Sequence, residues 1–470
     1  MNKHMMCIGV AGMLLLGMTV PAGMHWQGTE ARTPGALRPD TADVSYQLLV
    51  IAPESWKAAL DAFQQHKTSC GVETIVVSTA DIQDGTYFEP RGRDDAEQVK
   101  YFIKNALDTW NITYVLLAGG RKPGVDERWH VPVRYVHVEL FWEETFLSDL
   151  YFADIYDDAG TFQSWDTSGD GVYGTMNDSM DLHPDVYLGR WACRSILELR
   201  TVIEKTIAYE TATAARQRVV LVGGDNWRDR HDDMEGELVT EKTAGYLDAY
   251  EKTRLYASAG PVNAFTILQA LGDGAAFMHL FGHGWVTFWN TYQLEAFEQR
   301  SGGLGIWHLP LLSNSQYPIV MLGGCHTAMF NACPSYCPYR WAPEQGLPLL
   351  SRMYPGFEDL AWGLTSARGG GSVATLGYTC FTAGRIGHSG DLDGDGVDEP
   401  NCVEHGYGYM DARFFYAHGV EGKTHVGDCW GRAEDIYIDT FDCAGDEAHL
   451  RTVESLVLMG DPSLKIGGYA

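Results

Sequence analysis

Short apolar runs that alternate with amphipathic segments constrain the fold of this chain more than any other feature. The runs YQLLVI, YVLLA, RVVLV and PIVML consist mainly of Val, Leu and Ile. Continuous apolar runs of this length are typical of strands that are buried on both faces, with the amphipathic segments supplying the covering helices. The alternation therefore predicts an α/β fold built on parallel, doubly covered sheets.

The predicted elements fall into two successive groups. The first group has strands at 46–51, 72–78, 114–118 and 185–189, helices at 55–66, 94–108 and 196–210, and an irregular loop at 140–181. The second group has strands at 218–222, 275–280, 318–322 and 372–376 and a helix at 237–249. Because 470 residues exceed what one hydrophobic core usually serves, we expect two tandem α/β subdomains, 43–212 and 213–470.

The amino-terminal 22 residues have the composition of a secretory signal peptide. Lys3 and His4 precede an apolar run from Met5 to Val20, and small residues near Ala22 suit cleavage. The run is shorter than the roughly 20 apolar residues that a membrane span needs. We therefore expect a secreted or periplasmic protein without a membrane span, in which residues 23–42 form a short leader.

The charge is strongly acidic, with 62 Asp and Glu against 34 Lys and Arg and a formal net charge of −28. Such a surface repels phosphate backbones and anionic lipids, which argues against nucleic acid and membrane surfaces as partners. It attracts cationic substrates and divalent metals. A surface that serves solubility alone is the alternative interpretation.

The cysteine count fits an exported protein. Ten cysteines become nine when Cys7 leaves with the signal peptide, and an odd number leaves one thiol over. If Cys325 is that thiol, the others permit up to four disulfides in an oxidising compartment. These others are Cys70, Cys193, Cys333, Cys337, Cys380, Cys402, Cys429 and Cys443. A zinc site that combines Cys333 and Cys337 with Cys380 and Cys402 is the alternative.

Two reactive residues follow predicted strands of the second group. His283 comes after the run AAFMHL and Cys325 after the run PIVML, each flanked by glycine. Ligands of parallel sheets bind beyond the carboxyl ends of the strands. A thiol nucleophile needs an imidazole that takes its proton and later protonates the leaving amine. This favours a catalytic Cys-His pair, whereas a buried cysteine and a hydrogen-bonded core histidine are the alternative from spacing alone.

Four further segments strengthen this interpretation: SDLY at 148–151, PDVYLGR at 184–190, IAYE at 207–210 and LMGDPSL at 458–464. With the two strand ends, and in this order, they resemble the gingipain family of cysteine peptidases, which are relatives of caspases and legumain. The likeness spans about residues 46 to 466. It implies a caspase-like second subdomain, Cys325 as nucleophile and His283 as its acid–base partner. The backbone N–H groups of Gly284 and Cys325 are the expected oxyanion hole.

The resemblance also implies a substrate-binding role for Asp149. The matching family position lies at the bottom of the S1 pocket and receives a basic P1 side chain, with Arg favoured over Lys because a guanidinium binds a carboxylate bidentately. Tyr378 or Phe381 could then line the pocket. The alternative is that Asp149 ligates calcium with Asp154 and the loop at Asp166, or that it caps a turn.

A third group that orients His283 is expected on chemical grounds. Asp126 and Glu127 are the candidates, because they lie in a loop that resembles the loop flanking the site in the family. His326, next to the nucleophile, is expected to be a bystander because one base already accounts for the chemistry.

Two acidic loops indicate calcium sites. Asp391, Asp393 and Asp395 alternate before a glycine turn, and Asp398 or Glu399 could complete the coordination shell. The second loop is a weaker version of the same pattern and offers Asp166, Ser168 and Asp170. A merely acidic turn is the alternative for both loops.

Zinc proteolysis is not favoured by the remaining histidine pattern. His279 and His283 are four residues apart, but the surrounding pattern is a strand and no H-E-x-x-H motif is present.

The sequence therefore predicts an exported cysteine endopeptidase that acts on protein or peptide substrates through a thioester acyl-enzyme, after basic P1 residues. The alternative is a catalytically inactive, calcium-bound binding protein on a peptidase scaffold.

Overall fold

Two largely parallel sheets carry the fold. The protein is represented by a computed structural model that describes residues 45–124, 127–140, 143–213, 217–227, 233–292, 303–332 and 358–469. The expected signal peptide and leader lie outside the described residues. The described residues form one compact unit, and the predicted α/β fold is confirmed.

The first sheet has four parallel strands in the order β2-β1-β3-β6. Residues on the two faces of β1 alternate between two hydrophobic clusters, and every residue of β1 is buried. The strands are β1 (Leu48–Ala52), β2 (Thr74–Ser78), β3 (Tyr114–Ala118) and β6 (Tyr187–Trp191). Between β3 and β6 an antiparallel hairpin is formed by β4 (Tyr135–Leu140) and β5 (Glu143–Leu147).

The second sheet has six strands in the order β15-β14-β13-β9-β7-β8, all parallel except β15. They are β7 (Arg218–Gly223), β8 (Glu251–Tyr256), β9 (Phe277–Phe281), β13 (Ile319–Gly323), β14 (Ala374–Tyr378) and β15 (Leu456–Met459). A small antiparallel sheet follows β9 and contains β10 (His283–Trp285), β11 (Phe288–Asn290) and β12 (Leu304–Gly305).

Helices connect the strands, and several begin at a polar residue whose side chain caps the first turn. Asp94, Ser195 and Asn263 each accept a hydrogen bond from the backbone N–H three residues later, which satisfies one of the unpaired amides of the first turn. The helices are α1 (Lys57–Ser69), α2 (Thr79–Gln83), α3 (Asp95–Trp110), α4 (Ile196–Glu210), α5 (Glu235–Tyr246), α6 (Ala264–Gly272), α7 (Leu360–Ser366), α8 (Asn401–Glu404), α9 (Gly406–Gly419), α10 (Val426–Thr440) and α11 (Glu447–Ser455).

The two groups of elements share their hydrophobic cores. One cluster contains Leu49 of the first sheet and Met321 of the second, and the other contains Val50 and Leu322. The expected boundary near 212 falls between α4 and β7. Apolar packing is therefore continuous from one sheet to the other.

The hairpin β4–β5 is the main departure from the predicted elements. The sequence predicts an irregular loop at 140–181, but β5 lies inside that range and pairs with β4. In β4 the buried Val136 and Val138 alternate with polar or partly exposed residues. This period-2 pattern is the signal that the prediction missed.

No helix in the described part of the chain is long and apolar enough to cross a membrane.

A buried lysine joins the amino-terminal helices to the segment LMGDPSL. The ammonium of Lys67 lies 2.8 Å from Glu210 and 3.0 Å from Asp461, and all three side chains are fully buried. Burial by itself would lower the pKa of Lys67, but the charges of Asp461 and Glu210 raise it above its usual value. The lysine is therefore charged in the folded protein and holds α1, α4 and the carboxyl-terminal segment together.

We predict that Lys67→Met lowers the free energy of unfolding by about 3–5 kcal/mol, because two buried carboxylates lose their cation. Urea denaturation followed by circular dichroism measures the effect. The matched control is Lys104→Met, since Lys104 and Asp108 form a partly exposed ion pair whose loss costs less than about 1 kcal/mol. Equal effects of the two substitutions would contradict a structural role for the buried cation.

Candidate active site

The sheet brings the strand ends that carry His283 and Cys325 together. Strands β9 and β13 are parallel neighbours, and Gly323 is in register with Phe281. The Gly282 N–H donates to the Gly323 carbonyl at 3.0 Å. The chain segments that bear His283 and Cys325 therefore leave the sheet side by side, at its carboxyl edge.

Glycines allow the two segments to touch. A Cβ atom on Gly284 would overlap the carbonyl oxygen of Cys325, and one on Gly324 would come within 2.5 Å of the Gly284 nitrogen. Real Cβ atoms do not approach other atoms this closely, so any larger residue would separate the segments. The backbones of the residues expected to form the oxyanion hole, Gly284 and Cys325, are consequently adjacent.

His283 is oriented by a backbone carbonyl. Its Nε2 lies 2.5 Å from the carbonyl oxygen of Asn226, which follows β7, the strand next to β9. A carbonyl only accepts hydrogen bonds, so Nε2 carries the proton and the basic nitrogen of the neutral ring is Nδ1. Trp227 and Tyr292 pack edge-on against the ring, with centroids at 6.3 and 5.6 Å.

The sequence did not reveal this third group. Asp126 lies outside the described residues, and Glu127 accepts hydrogen bonds from Trp129 Nε1 and the Tyr135 hydroxyl. Asn226 acts through its main chain, and every residue has a carbonyl. The only indication of its role is that Asn226 follows the strand next to β9. This is known only once the order of the strands in the sheet is known.

The thiol of Cys325 is partly buried against Thr382, which follows β14. The Sγ atom lies 3.4 Å from Thr382 Oγ1 and 3.7 Å from the Thr382 carbonyl oxygen. Burial raises the pKa of Cys325 above its usual value. Because the thiolate is the reactive form, this cysteine needs a base to take its proton at neutral pH.

The other histidine of β9 belongs to the core. His279 Nδ1 is 3.0 Å from the Thr243 hydroxyl, and Nε2 is 3.2 Å from Asp411. Asp411 also accepts a hydrogen bond from the Tyr378 hydroxyl at 2.7 Å. His279 is fully buried and lies on a strand, as the sequence pattern around it predicts.

Of the expected wall residues, Tyr378 is the last residue of β14 and Phe381 directly precedes Thr382, the thiol's neighbour. Tyr378 is fully buried, so its ring packs in the core instead of lining an open pocket. Phe381 is only partly buried.

Asp149 has an internal partner, in contrast to the expected contact with substrate. Its two carboxylate oxygens accept hydrogen bonds from Nε and Nη2 of Arg190, both at 2.7 Å. Asp149 is 3% exposed and Arg190 is fully buried. The bidentate geometry that was expected for a substrate guanidinium is thus made within the protein.

One of the two acidic loops gathers its carboxylates. Ligand oxygens of Asp391, Asp393 and Asp395 lie within 4.8 Å of one another. Burial and the neighbouring carboxylates Asp395 and Asp391 raise the pKa of Asp393, although Arg413 donates to it at 3.0 Å. Glu399 does not join the group, because Lys242 binds its carboxylate.

The second acidic loop is organised differently. Arg93 binds Asp166, so an internal cation neutralises the carboxylate that was expected to ligate calcium. Asp170 accepts a hydrogen bond from the Val172 N–H, and the Ser168 N–H donates to Asp178. In the described part of the chain, no group of three His, Cys, Asp or Glu ligand atoms includes Asp166 or Asp170, and a calcium site of Asp166, Ser168 and Asp170 stays a prediction. Asp154 is buried with its carboxylate bound to Trp165 Nε1 at 2.7 Å.

Disulfides do not form among the described cysteines, which corrects that expectation for this part of the chain. The free thiols are Cys70, Cys193, Cys325, Cys380, Cys402, Cys429 and Cys443. Most of them are buried and pack as small apolar side chains in the core clusters. Cys333 and Cys337 lie outside the described residues.

Comparison with known proteins gives a family match over nearly the whole chain. A sequence profile described as peptidase family C25 matches residues 41–467. Gingipain R2 from Porphyromonas gingivalis is 22% identical over 291 residues, which are 59% of this chain and 32% of that protein. Gingipain R1 from the same organism is 22% identical over 304 residues, 62% of this chain and 25% of that protein. The chain thus covers less than a third of the length of these relatives.

Solved structures share the fold. A crystal structure described as the Arg-specific cysteine proteinase gingipain R superimposes with a TM-score of 0.60 at 18% identity, over 90% of this chain and 78% of that one. A complex of the RgpB pro- and mature domains from Porphyromonas gingivalis gives a TM-score of 0.58 at 17% identity, over 89% of this chain and 79% of the other. The predicted caspase-like α/β architecture is confirmed.

Proposed function

The chain belongs to peptidase family C25, and on this basis we propose that it is a cysteine endopeptidase with Cys325 as nucleophile and His283 as acid–base partner. The observation that carries the proposal is the juxtaposition of the two residues at the carboxyl ends of neighbouring parallel strands. The glycine contact between Gly284 and Gly324 holds their backbones together.

In the first half of the reaction, His283 Nδ1 takes the proton of the Cys325 thiol. The thiolate attacks the carbonyl carbon of the scissile peptide bond, and the carbonyl oxygen becomes an oxyanion. The backbone N–H groups of Gly284 and Cys325 donate to that oxygen. His283 then gives its proton to the amide nitrogen, the C–N bond breaks, and a thioester to Cys325 remains.

In the second half, His283 takes a proton from water, and the resulting hydroxide attacks the thioester carbonyl. The C–S bond breaks, the new carboxylic acid leaves, and the proton returns to Sγ. Asn226 contributes throughout, because its carbonyl stabilises a proton on Nε2 in both the neutral and the charged imidazole.

We also propose that the protein is exported, on the strength of the signal-peptide pattern in its first 22 residues. Protein or peptide is the substrate class that follows from the family. The acidic surface, with 62 acidic against 34 basic residues, favours cationic substrates.

For the P1 position we propose a basic residue. A relative with the same fold is described as Arg-specific. Asp149 does not supply the recognition in this proposal, because Arg190 already occupies both of its carboxylate oxygens. We assign Asp149 the role of holding Arg190 in place.

We further propose that a calcium ion binds between Asp391, Asp393 and Asp395. Three carboxylates with oxygens within 4.8 Å repel one another, and an oxygen-seeking divalent cation relieves that repulsion. Gly394 and Gly396 have φ values of 75° and 88°, which let the loop turn sharply around its centre. The ion would be structural in this proposal.

The catalytic assignment predicts that Cys325→Ala abolishes peptide hydrolysis without unfolding the protein, and that His283→Ala lowers kcat by about 10²–10⁴-fold. Hydrolysis of a fluorogenic peptide, with circular dichroism as the check of folding, measures both. Cys70→Ala is a matched control. The Sγ atom of Cys70 also lies near a histidine, 3.9 Å from Nε2 of His66, but Cys70 is far in sequence from the two strand ends that carry His283 and Cys325. This variant should retain full activity.

A peptidyl chloromethyl ketone should alkylate Cys325 in the wild type. A folded wild type that hydrolyses no peptide and is not labelled would instead support the inactive binding scaffold. Full activity in Cys325→Ala would contradict the assignment of the nucleophile.

The P1 proposal predicts that peptides with Arg or Lys at P1 have a kcat/KM at least about tenfold above matched peptides with Leu or Asn, a difference of about 1.4 kcal/mol. Asp149→Asn should lower the melting temperature, because Arg190 loses its charged partner. The substitution should leave the ranking of P1 residues unchanged, because Asp149 does not contact the substrate in this proposal. If Asp149→Asn loses the preference for Arg and Lys at P1, Asp149 recognises the P1 side chain and the proposed role of Asp149 is wrong.

The calcium proposal predicts that free calcium at a hundred times its dissociation constant raises the free energy of unfolding by about 2.7 kcal/mol. Thermal melting with calcium and with a chelator measures the shift. Asp395→Asn should remove the shift, whereas Asp170→Asn in the second loop should keep it. Superimposable wild-type curves would contradict the site.

A further inference from the structure

The residue after the nucleophile has an unusual backbone conformation. His326 has a φ of 57°, in the left-handed region that non-glycine residues rarely adopt. Residues in this region are strained and persist where surrounding contacts fix them. The His326 N–H donates to the Cys380 carbonyl at 2.9 Å. The conformation sets the direction in which the chain continues after Cys325.

The side chain of His326 is held by a buried carboxylate of the hairpin β4–β5. Its Nε2 lies 3.0 Å from Oε1 of Glu143, the first residue of β5. Both side chains are buried. Burial alone would raise the pKa of Glu143, but His326 and Arg451 lower it to about 2. Glu143 is therefore ionised at any pH near neutrality.

The same carboxylate holds the segment that contacts the thiol. Oε2 of Glu143 accepts a hydrogen bond from the Phe381 N–H at 2.8 Å. The next residue, Thr382, lies 3.4 Å from Cys325 Sγ through its hydroxyl. One carboxylate thus binds the neighbour of Cys325 on one side and the neighbour of Thr382 on the other.

Arg451 of α11 makes this anchor rigid. Its Nη2 lies 2.5 Å from Glu143 Oε2, and its Nη1 donates to the carbonyls of Glu143 and Val138 on the two strands of the hairpin. Its Nε lies 3.4 Å from the Phe381 carbonyl. Fully hydrogen-bonded buried charges are costly to disturb, so the group has one well-defined arrangement.

We propose that Glu143 and His326 are positioning residues, which hold the Cys325 backbone and the Thr382 segment in the geometry that the reaction needs. This rests on the proposed peptidase function. It gives His326 a role in place of the expected bystander. Neither residue touches the reacting atoms, so their effect on the rate is exerted through the placement of Cys325.

The test uses two pairs of variants that separate placement from folding. His326→Gly keeps the left-handed backbone accessible and removes the imidazole, whereas His326→Asn keeps a side-chain donor and tolerates that conformation. Glu143→Ala removes the anchor. Its matched control is Glu144→Ala, because Glu144 is the next residue of β5 and is exposed.

We expect His326→Gly and Glu143→Ala to lower kcat per folded molecule by about 10- to 100-fold, the size of effect that a displacement of about 1 Å produces. KM should change by less than about threefold, because ground-state binding of the substrate is not involved. His326→Asn should recover most of the loss, and Glu144→Ala should match the wild type. Wild-type kcat in folded His326→Gly, with only a lower melting temperature, would overturn the proposal.

A second measurement does not depend on peptide hydrolysis. The rate at which iodoacetamide alkylates Cys325, followed by mass spectrometry, reports the reactivity of the thiol, which depends on how the thiol is placed relative to its proposed base, His283. We expect at least a tenfold lower rate in His326→Gly and an unchanged rate in Glu144→Ala. An unchanged rate in His326→Gly overturns the positioning role even if the wild type proves inactive on peptides, a result that would count separately against the proposed function.

Discussion

The contact between two strand ends, backbone against backbone, is the constraint on which the rest of the site depends. Because β9 and β13 are parallel neighbours, the residues that follow them leave the sheet at one edge. Gly284 and Gly324 let the two main chains touch where any side chain would separate them. This backbone contact determines where the main chains of His283 and Cys325 lie relative to each other. Their side-chain interactions add to it.

The remaining members of the site follow the order of the strands. The strands β14, β13, β9 and β7 are neighbours in that order, and each is followed by one residue of the candidate site. Thr382 comes after β14 and contacts the thiol, and Asn226 comes after β7 and binds the imidazole. Cys325 and His283 lie between them. A parallel sheet places successive carboxyl ends along one edge, so four segments that are distant in sequence supply one site.

Internal cations decide what the acidic residues do. Asp149 is bound by Arg190, Asp166 by Arg93, and Glu399 by Lys242. Such a partner neutralises the carboxylate and takes up hydrogen-bonding capacity that a metal or a substrate would use, whatever the sequence motif suggests. In the loop of Asp391, among the described residues, only Asp393 is bound by a cation, Arg413, and three of its carboxylate oxygens still lie close together. The distinction is one of long-range charge pairing, which a local motif does not contain.

The sequence by itself determined the α/β class, the ends of the main strands to within two residues, and the places of His283 and Cys325 just after two of them. These are local properties, since burial leaves its pattern in consecutive residues and a strand end is marked by the glycines that follow. Only the tertiary structure decided which groups support those residues. The carbonyl that orients His283 is 57 residues away and has no side-chain signature, and Glu143 reaches His326 across 183 residues from a hairpin hidden in an apparent loop. Contacts of this kind arise from the packing of elements against one another, so no short stretch of sequence specifies them.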